Sequence, residues 1–316
     1  MTAQDSATPL ASIAVDAGHR PSEPREDDHR PARPRGTALA LLGVLSFSLT
    51  FPSTAWGLES FGPWSMVSLR LLIAALLAGV FLWRGRVPFP HRSHWAGLAV
   101  VVAGVMIGFP VLTTLALGTA TTSHAAVVVG LLPLTTAALA AFRTRRRSSR
   151  AFWAAALAGA AVVVAFTVQQ SGGTLSRADL YLFAALLLCA AGYTEGGRLS
   201  GLMPGWHVVG WALVICVPLS LTGTVIGLTL EPWRLTVHGV VGLLWVASAS
   251  TFLGLYLWYR GMAAIGVAKA SQLQLAQPLL TLVWSVLLLG ERLTLAAPLA
   301  AAGVLVCIAV TQRART

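Results

Sequence analysis

The chain has 316 residues, 56% of them hydrophobic and 10% charged, with a mean hydropathy of +0.75. That composition excludes an ordinary soluble domain and describes a polytopic, all-α membrane protein. A net charge of +11 would suit a nucleic-acid partner, but the arginines are scattered through short gaps between apolar runs and form no basic face, so no nucleic-acid binding is expected.

Residues 1–36 are rich in Pro, Asp, Glu, His and Arg, contain no apolar run long enough for a signal peptide, and read as a disordered cytoplasmic tail. Ten apolar spans follow, near 37–57, 64–84, 95–117, 120–142, 151–169, 178–197, 206–230, 236–259, 266–289 and 295–312. Arginines alternate across the gaps. Arg84, Arg86 and Arg92 follow the second span, and Arg143, Arg145, Arg146, Arg147 and Arg150 follow the fourth, whereas the opposite gaps hold only Arg177, Arg234 and Arg292. Positive charge is retained in cytoplasmic loops, so both termini are expected in the cytosol. Trp56, Trp64, Trp83, Trp95, Trp153, Trp206, Trp233 and Trp258 fall at expected interfaces, as an aromatic belt requires. Gly104/Gly108 and Gly223/Gly227 mark the third and seventh spans as closely packed on neighbours. Cys189, Cys216 and Cys307 lie inside spans without metal-ligand spacing and read as packing residues.

The ninth span, from Gly266 to Arg292, is the least ordinary. It carries Lys269, Gln272, Gln274 and Gln277 in its first half and Pro278 near its middle, all unfavourable in lipid. Setting Pro133 of the fourth span against Pro278 also aligns His124 with Lys269, Ala125 with Ala270, Leu134 with Leu279, Thr136 with Thr281 and Arg147 with Arg292. Matched proline-interrupted segments in two halves point to a transporter's binding site. Five spans per half is an odd number, so the halves must lie in the membrane with opposite orientation, as two inverted five-helix repeats over 37–169 and 170–316.

Pro63 with Arg70, Leu255-Tyr256-Leu257-Trp258, and Gln277-Pro278 followed by Leu289-Gly290-Glu291-Arg292 together resemble the EamA-type branch of the drug/metabolite transporter superfamily. The first half departs from that pattern, with Arg143-Thr144-Arg145-Arg146-Arg147 where the second has Leu-Gly-Glu. The resemblance implies export of small metabolites, amino acids or amphipathic drug-like compounds across the inner membrane. It also implies that the third, fourth, eighth and ninth spans surround the pathway, with the fifth and tenth peripheral.

Among the residues themselves, Trp245, Ser248, Phe252, Tyr256 and Tyr259 recur at spacings of three, four, four and three, which is one helical face. The first four, with Gln274 and Gln277, are the expected substrate pathway; packing against the next helix is the alternative for the aromatic face. Pro133 and Pro278 are the expected helix breaks. Arg70, ~9 Å inside its span by helical rise, either snorkels outward or pairs with Glu291 or Glu59 in an outer gate. Glu195 pairs with Arg198 three residues on or reaches Lys269, and His124 reads as an interfacial residue. No acid lies near mid-membrane, so the solute is expected to be neutral, zwitterionic or a delocalised aromatic cation. GxxxxGK[ST], HExxH and GxSxG are absent, so neither an ATP-driven pump nor a common hydrolase is expected, and no cofactor or metal is implied. A membrane-embedded enzyme or signalling scaffold is the rival class. The expected partners are a small-molecule solute and the lipid bilayer, with a homodimer left open.

Overall fold

The computed structural model describes residues 34–144, 149–265, 270 and 273–313, and among these the regular structure is helical throughout. Seven helices are long and apolar enough to cross a bilayer: α1 (Pro34–Leu58), α2 (Pro63–Arg84), α3 (Arg92–Leu117), α4 (Thr122–Arg143), α5 (Arg150–Gln170), α6 (Arg177–Ser200) and α8 (Val237–Ile265). Between the last two, α7 is a bent pair, Gly205–Ile215 and Val217–Leu230, with 46° between its arms. Pro218 sits at that bend and cannot donate to the carbonyl of Val214. Two shorter apolar helices follow, α9 (Ala276–Leu289) and α10 (Ala296–Thr311). Lys269, Gln272, Arg145, Arg146 and Arg147 lie outside the described residues.

Helix starts are written in the sequence. Ser176 and Asp179 form a reciprocal capping box at α6, Thr121 accepts from the amide of His124 at α4, and Ser149 accepts from that of Phe152 at α5. Gly290, at φ 64°, ends α9 in the left-handed conformation that only glycine adopts without strain.

The helices pack in corresponding pairs: α1 lies along α8 and α3 along α6, while α2 packs on α7 and α5 on α10. Small residues bring two of these pairs close. A side chain at Gly104 would collide with the carbonyl of Leu188 on α6, and one at Gly227 with Ser65 on α2. The apolar core is divided among clusters of buried side chains, one around α4, α6 and α10 and another around α2, α3 and α7.

Four helices, α3, α4, α8 and α9, are interrupted at positions that share one register. In α4 the helix loosens at Gly130 and Leu131, just ahead of Pro133; ahead of α9 it loosens at Leu275, just before Pro278. The same alignment places the π-helical turn of α3, Val102–Gly108, on residues 247–253, inside the π-helical turn of α8, Trp245–Gly254. In α1, Pro52 cannot donate to the carbonyl of Ser48. The Thr281 hydroxyl of α9 donates to that carbonyl at 2.9 Å, and Trp284 Nε1 donates to Ser48 Oγ at 2.9 Å. A freed carbonyl inside a bilayer needs such a partner.

Trp64, Trp83, Trp95, Trp153 and Trp233 are exposed at helix ends, as the belt expectation requires. Trp258 is an exception, buried edge-on against Phe47 of α1.

Candidate functional site

The interrupted helices enclose a cavity of about 70 Å³. Its floor and walls come from α1 (Phe47, Thr50, Phe51), α2 (Arg70), α3 (Val105, Met106, Phe109, Pro110), α4 (Val129, Leu132), α6 (Cys189, Tyr193), α8 (Ser250, Thr251, Leu255) and the turn into α9 (Gln274, Gln277). A second space of about 40 Å³ shares Phe51, Val129, Leu132, Gln274 and Gln277 and continues past Gly130, Pro133, Pro278 and Thr281 to Leu305 and Ile308 of α10. Both exceed the ~10–15 Å³ that one water requires. Pro133 and Pro278 thus meet across the same space, Gly130 facing the Pro278 ring. Neither proline can donate to the carbonyl four residues before it, Val129 or Gln274, and both of these residues line the cavities.

Polar groups converge on one wall. The π-helical turn of α8 directs the Thr251 hydroxyl to the carbonyl of Val246 five residues back, at 2.7 Å, and its oxygen accepts from Arg70 Nε at 2.8 Å. Beside it, Thr50 and Ser250 share a 2.6 Å hydrogen bond between α1 and α8. Gln274 and Gln277, half-buried, line the same cavity.

The expected pathway residues therefore separate into two groups. Gln274 and Gln277 line the cavity. The eighth-helix face does not: Phe252 and Tyr256 pack on Phe81 of α2 with ring centroids 4.9 and 5.7 Å away, and Tyr256 also meets Trp206 of α7 and the guanidinium of Arg260. Ser248 Oγ donates to the carbonyl of Leu244, and Trp245 is half-buried away from both cavities. Spacings of three and four assume 3.6 residues per turn, and a π-helical turn breaks that assumption. Its wider turn brings Ser250, Thr251 and Leu255 to the cavity instead.

Arg70 neither snorkels nor forms an outer gate. It is 6% exposed and bonded to Thr251, while Glu291 accepts from the amides of Thr122 at 2.6 Å and Ser123 at 3.0 Å, at the N-terminus of α4. The positive end of a helix dipole and its free amides favour a carboxylate there. Glu231 does the same at α2, accepting from the amides of Trp64 and Ser65 at 3.1 and 2.7 Å. Glu59 faces His238 at 3.6 Å rather than Arg70. Glu195, buried at the far end of α6, pairs with Arg198 as expected and also with Arg143 of α4 at 2.8 Å, a cross-helix contact that sequence spacing could not reveal. His124 is buried, not interfacial: its Nε2 lies 2.6 Å from Asp179, whose other oxygen accepts from Ser171, from the Ser176 amide and from its hydroxyl. α4 is in this way tied to α6 at both ends.

A model described as the EamA-like transporter family matches residues 34–168 and, a second time, 176–312. The Bacillus subtilis (strain 168) protein named "Uncharacterized transporter YdeK" is 37% identical over 273 residues, spanning 86% of this chain and 95% of that relative. A solved crystal structure at 20% identity, covering 90% of this chain and 98% of its own, superposes with a TM-score of 0.61 and attests the fold alone.

Proposed function

The chain belongs to the EamA-like transporter family, and on that premise we propose that this membrane transporter is a secondary exporter moving small metabolites or amphipathic compounds by alternating access to the cavity. Ten spans in two inverted repeats, with both termini cytosolic in the inner membrane, are the arrangement this reading adopts. Two features support the repeat: the shared register of the helix breaks and π-helical turns, and the paired packing of α1 on α8 with α3 on α6.

The observation that carries the proposal is the cavity itself. Helices from both halves contribute to it, and its polar wall sits on backbone that is irregular at the proline breaks and π-helical turns. Irregular backbone at membrane depth is tolerated where it lines a cavity. Rocking of one half against the other would open that space to either side without moving the site. The test is accumulation of a broad metabolite panel in expressing and non-expressing vesicles of known orientation. Orientation-dependent accumulation of at least one compound is expected, and equal accumulation of every compound in both preparations would refute transport.

A further inference from the structure

Among the described residues one lysine or arginine is buried, Arg70, and no acid of the helical body is left to pair with it. Of the eleven acidic residues, six lie at or before Asp28, outside the described residues, and five lie in the helical body. All five are engaged: Glu59 with His238, Asp179 with His124, Glu195 with Arg143 and Arg198, Glu231 at the start of α2 and Glu291 at the start of α4. Arg70, 94% buried and on the cavity wall, has no carboxylate partner among the described residues. Nε is its one nitrogen with a hydrogen-bond acceptor there. A guanidinium held in an apolar interior with its two terminal nitrogens free of protein acceptors calls for an anion to complete it.

We propose that Arg70 is the anion-binding group of the cavity, and that the solute carries a carboxylate joined to a compact apolar body. This rests on the transport reading above and names the solute class for that site. One guanidinium balances one negative charge and presents a planar fork matched to a carboxylate. A phosphate dianion would leave charge uncompensated, since Arg70 is the one cationic residue lining the cavity among the described residues. Besides the guanidinium, Phe47, Phe51, Phe109, Val129 and Leu132 give the cavity apolar lining, and Gln274 and Gln277 add side chains that donate and accept. The expectation of a neutral, zwitterionic or delocalised cationic solute counted only acids, and gave Arg70 to snorkelling or to an outer gate.

The full chain, purified in detergent, is heated with hexanoate, phenylacetate or L-phenylalanine, with the amide of each, and with phenyl phosphate. At least one carboxylate should raise the unfolding temperature saturably, and its amide should not. Arg70→Gln should weaken that carboxylate's affinity on the order of tenfold or more, the loss of a charge-assisted pair. Arg70→Lys, which keeps the charge but not the fork, should fall between. The assignment is overturned if no carboxylate stabilises, if acid and amide act alike, or if Arg70→Gln binds as the wild type does. Tighter Arg70-dependent binding of phenyl phosphate would overturn the carboxylate in favour of a phosphate. Should Arg70→Gln fail to fold, the acid-to-amide comparison on the unaltered chain decides, with Thr251→Val, which frees the guanidinium from its positioning bond, expected to weaken the acid several-fold and leave the amide unchanged. Uptake into proteoliposomes separates the two readings. An acid bound through Arg70 but never moved would refute transport and leave the site; an amide moved independently of Arg70 would do the reverse.

Discussion

Replacing Phe252 with Ala tests whether the aromatic face of α8 packs or binds. Phe252 is 1% exposed, edge-on to Phe81 with centroids 4.9 Å apart and tilted against Tyr256 at 6.3 Å. In water such a truncation costs about 3–5 kcal/mol, through lost transfer free energy and the void left behind. Inside a bilayer the first contribution shrinks, because lipid is as apolar as the helix interior. The void remains: at about 24 cal/mol per Å³, a phenyl-sized gap of roughly 100 Å³ costs about 2 kcal/mol. The assay pairs thermal unfolding in detergent with vesicle transport normalised to folded protein. Phe252→Ala should unfold several degrees lower yet transport at the wild-type rate per folded molecule. A variant as stable as wild type that failed to transport would place the face on the solute's path and refute the packing assignment.

Other outcomes follow from the same geometry. A cytosol-dependent reporter should be active when fused after Arg147 or at Thr316 and inactive within 171–177; activity at 171–177 would contradict the inverted arrangement. In a chain lacking Cys189, Cys216 and Cys307, single cysteines at Gln274 and Gln277 should react with a small water-soluble thiol reagent, whereas cysteines at Leu299 and Val306, which face outward from α10 at 70% and 63% exposure, should not. Thr281→Val should lower stability by about 1 kcal/mol, since the Ser48 carbonyl freed by Pro52 loses its donor; an unchanged melting temperature would mean that another group takes its place. Glu195→Gln should loosen the α4–α6 contact and raise the thiol reactivity of a single cysteine introduced at Ala141 of α4, because both guanidinium partners lose their counter-charge; unchanged reactivity would refute the tie.

Much of the architecture was legible because the bilayer restricts it. Spans of about 20 apolar residues must be helices, and the expected limits near 64–84, 151–169 and 206–230 fall within a few residues of α2, α5 and α7. Glycine pairs marked real close approaches at Gly104 and Gly227, since only a missing side chain admits the Leu188 carbonyl or Ser65. The matched prolines pointed at the space they now border, because a proline removes a donor wherever it sits in a helix.

Side-chain direction was less legible, for reasons specific to particular residues. Extrapolating a face along α8 requires constant turn geometry, and no proline marks the π-helical turn at Trp245–Gly254. The signal that was available lay in the small hydroxyls Ser250 and Thr251, which an aromatic-weighted reading passes over. Arg70 was placed by its distance from the helix end, but burial depends on what covers that end, and α8 covers it through Thr251. Glu291 was read as a charge seeking a cation. A helix N-terminus offers several free amides and a partial positive charge, so a carboxylate ending one helix can be satisfied by the start of another. That diversion of Glu291 and Glu231 to helix starts is also what leaves Arg70 without a protein counter-charge. The error about the gate and the inference about the solute have the same physical origin.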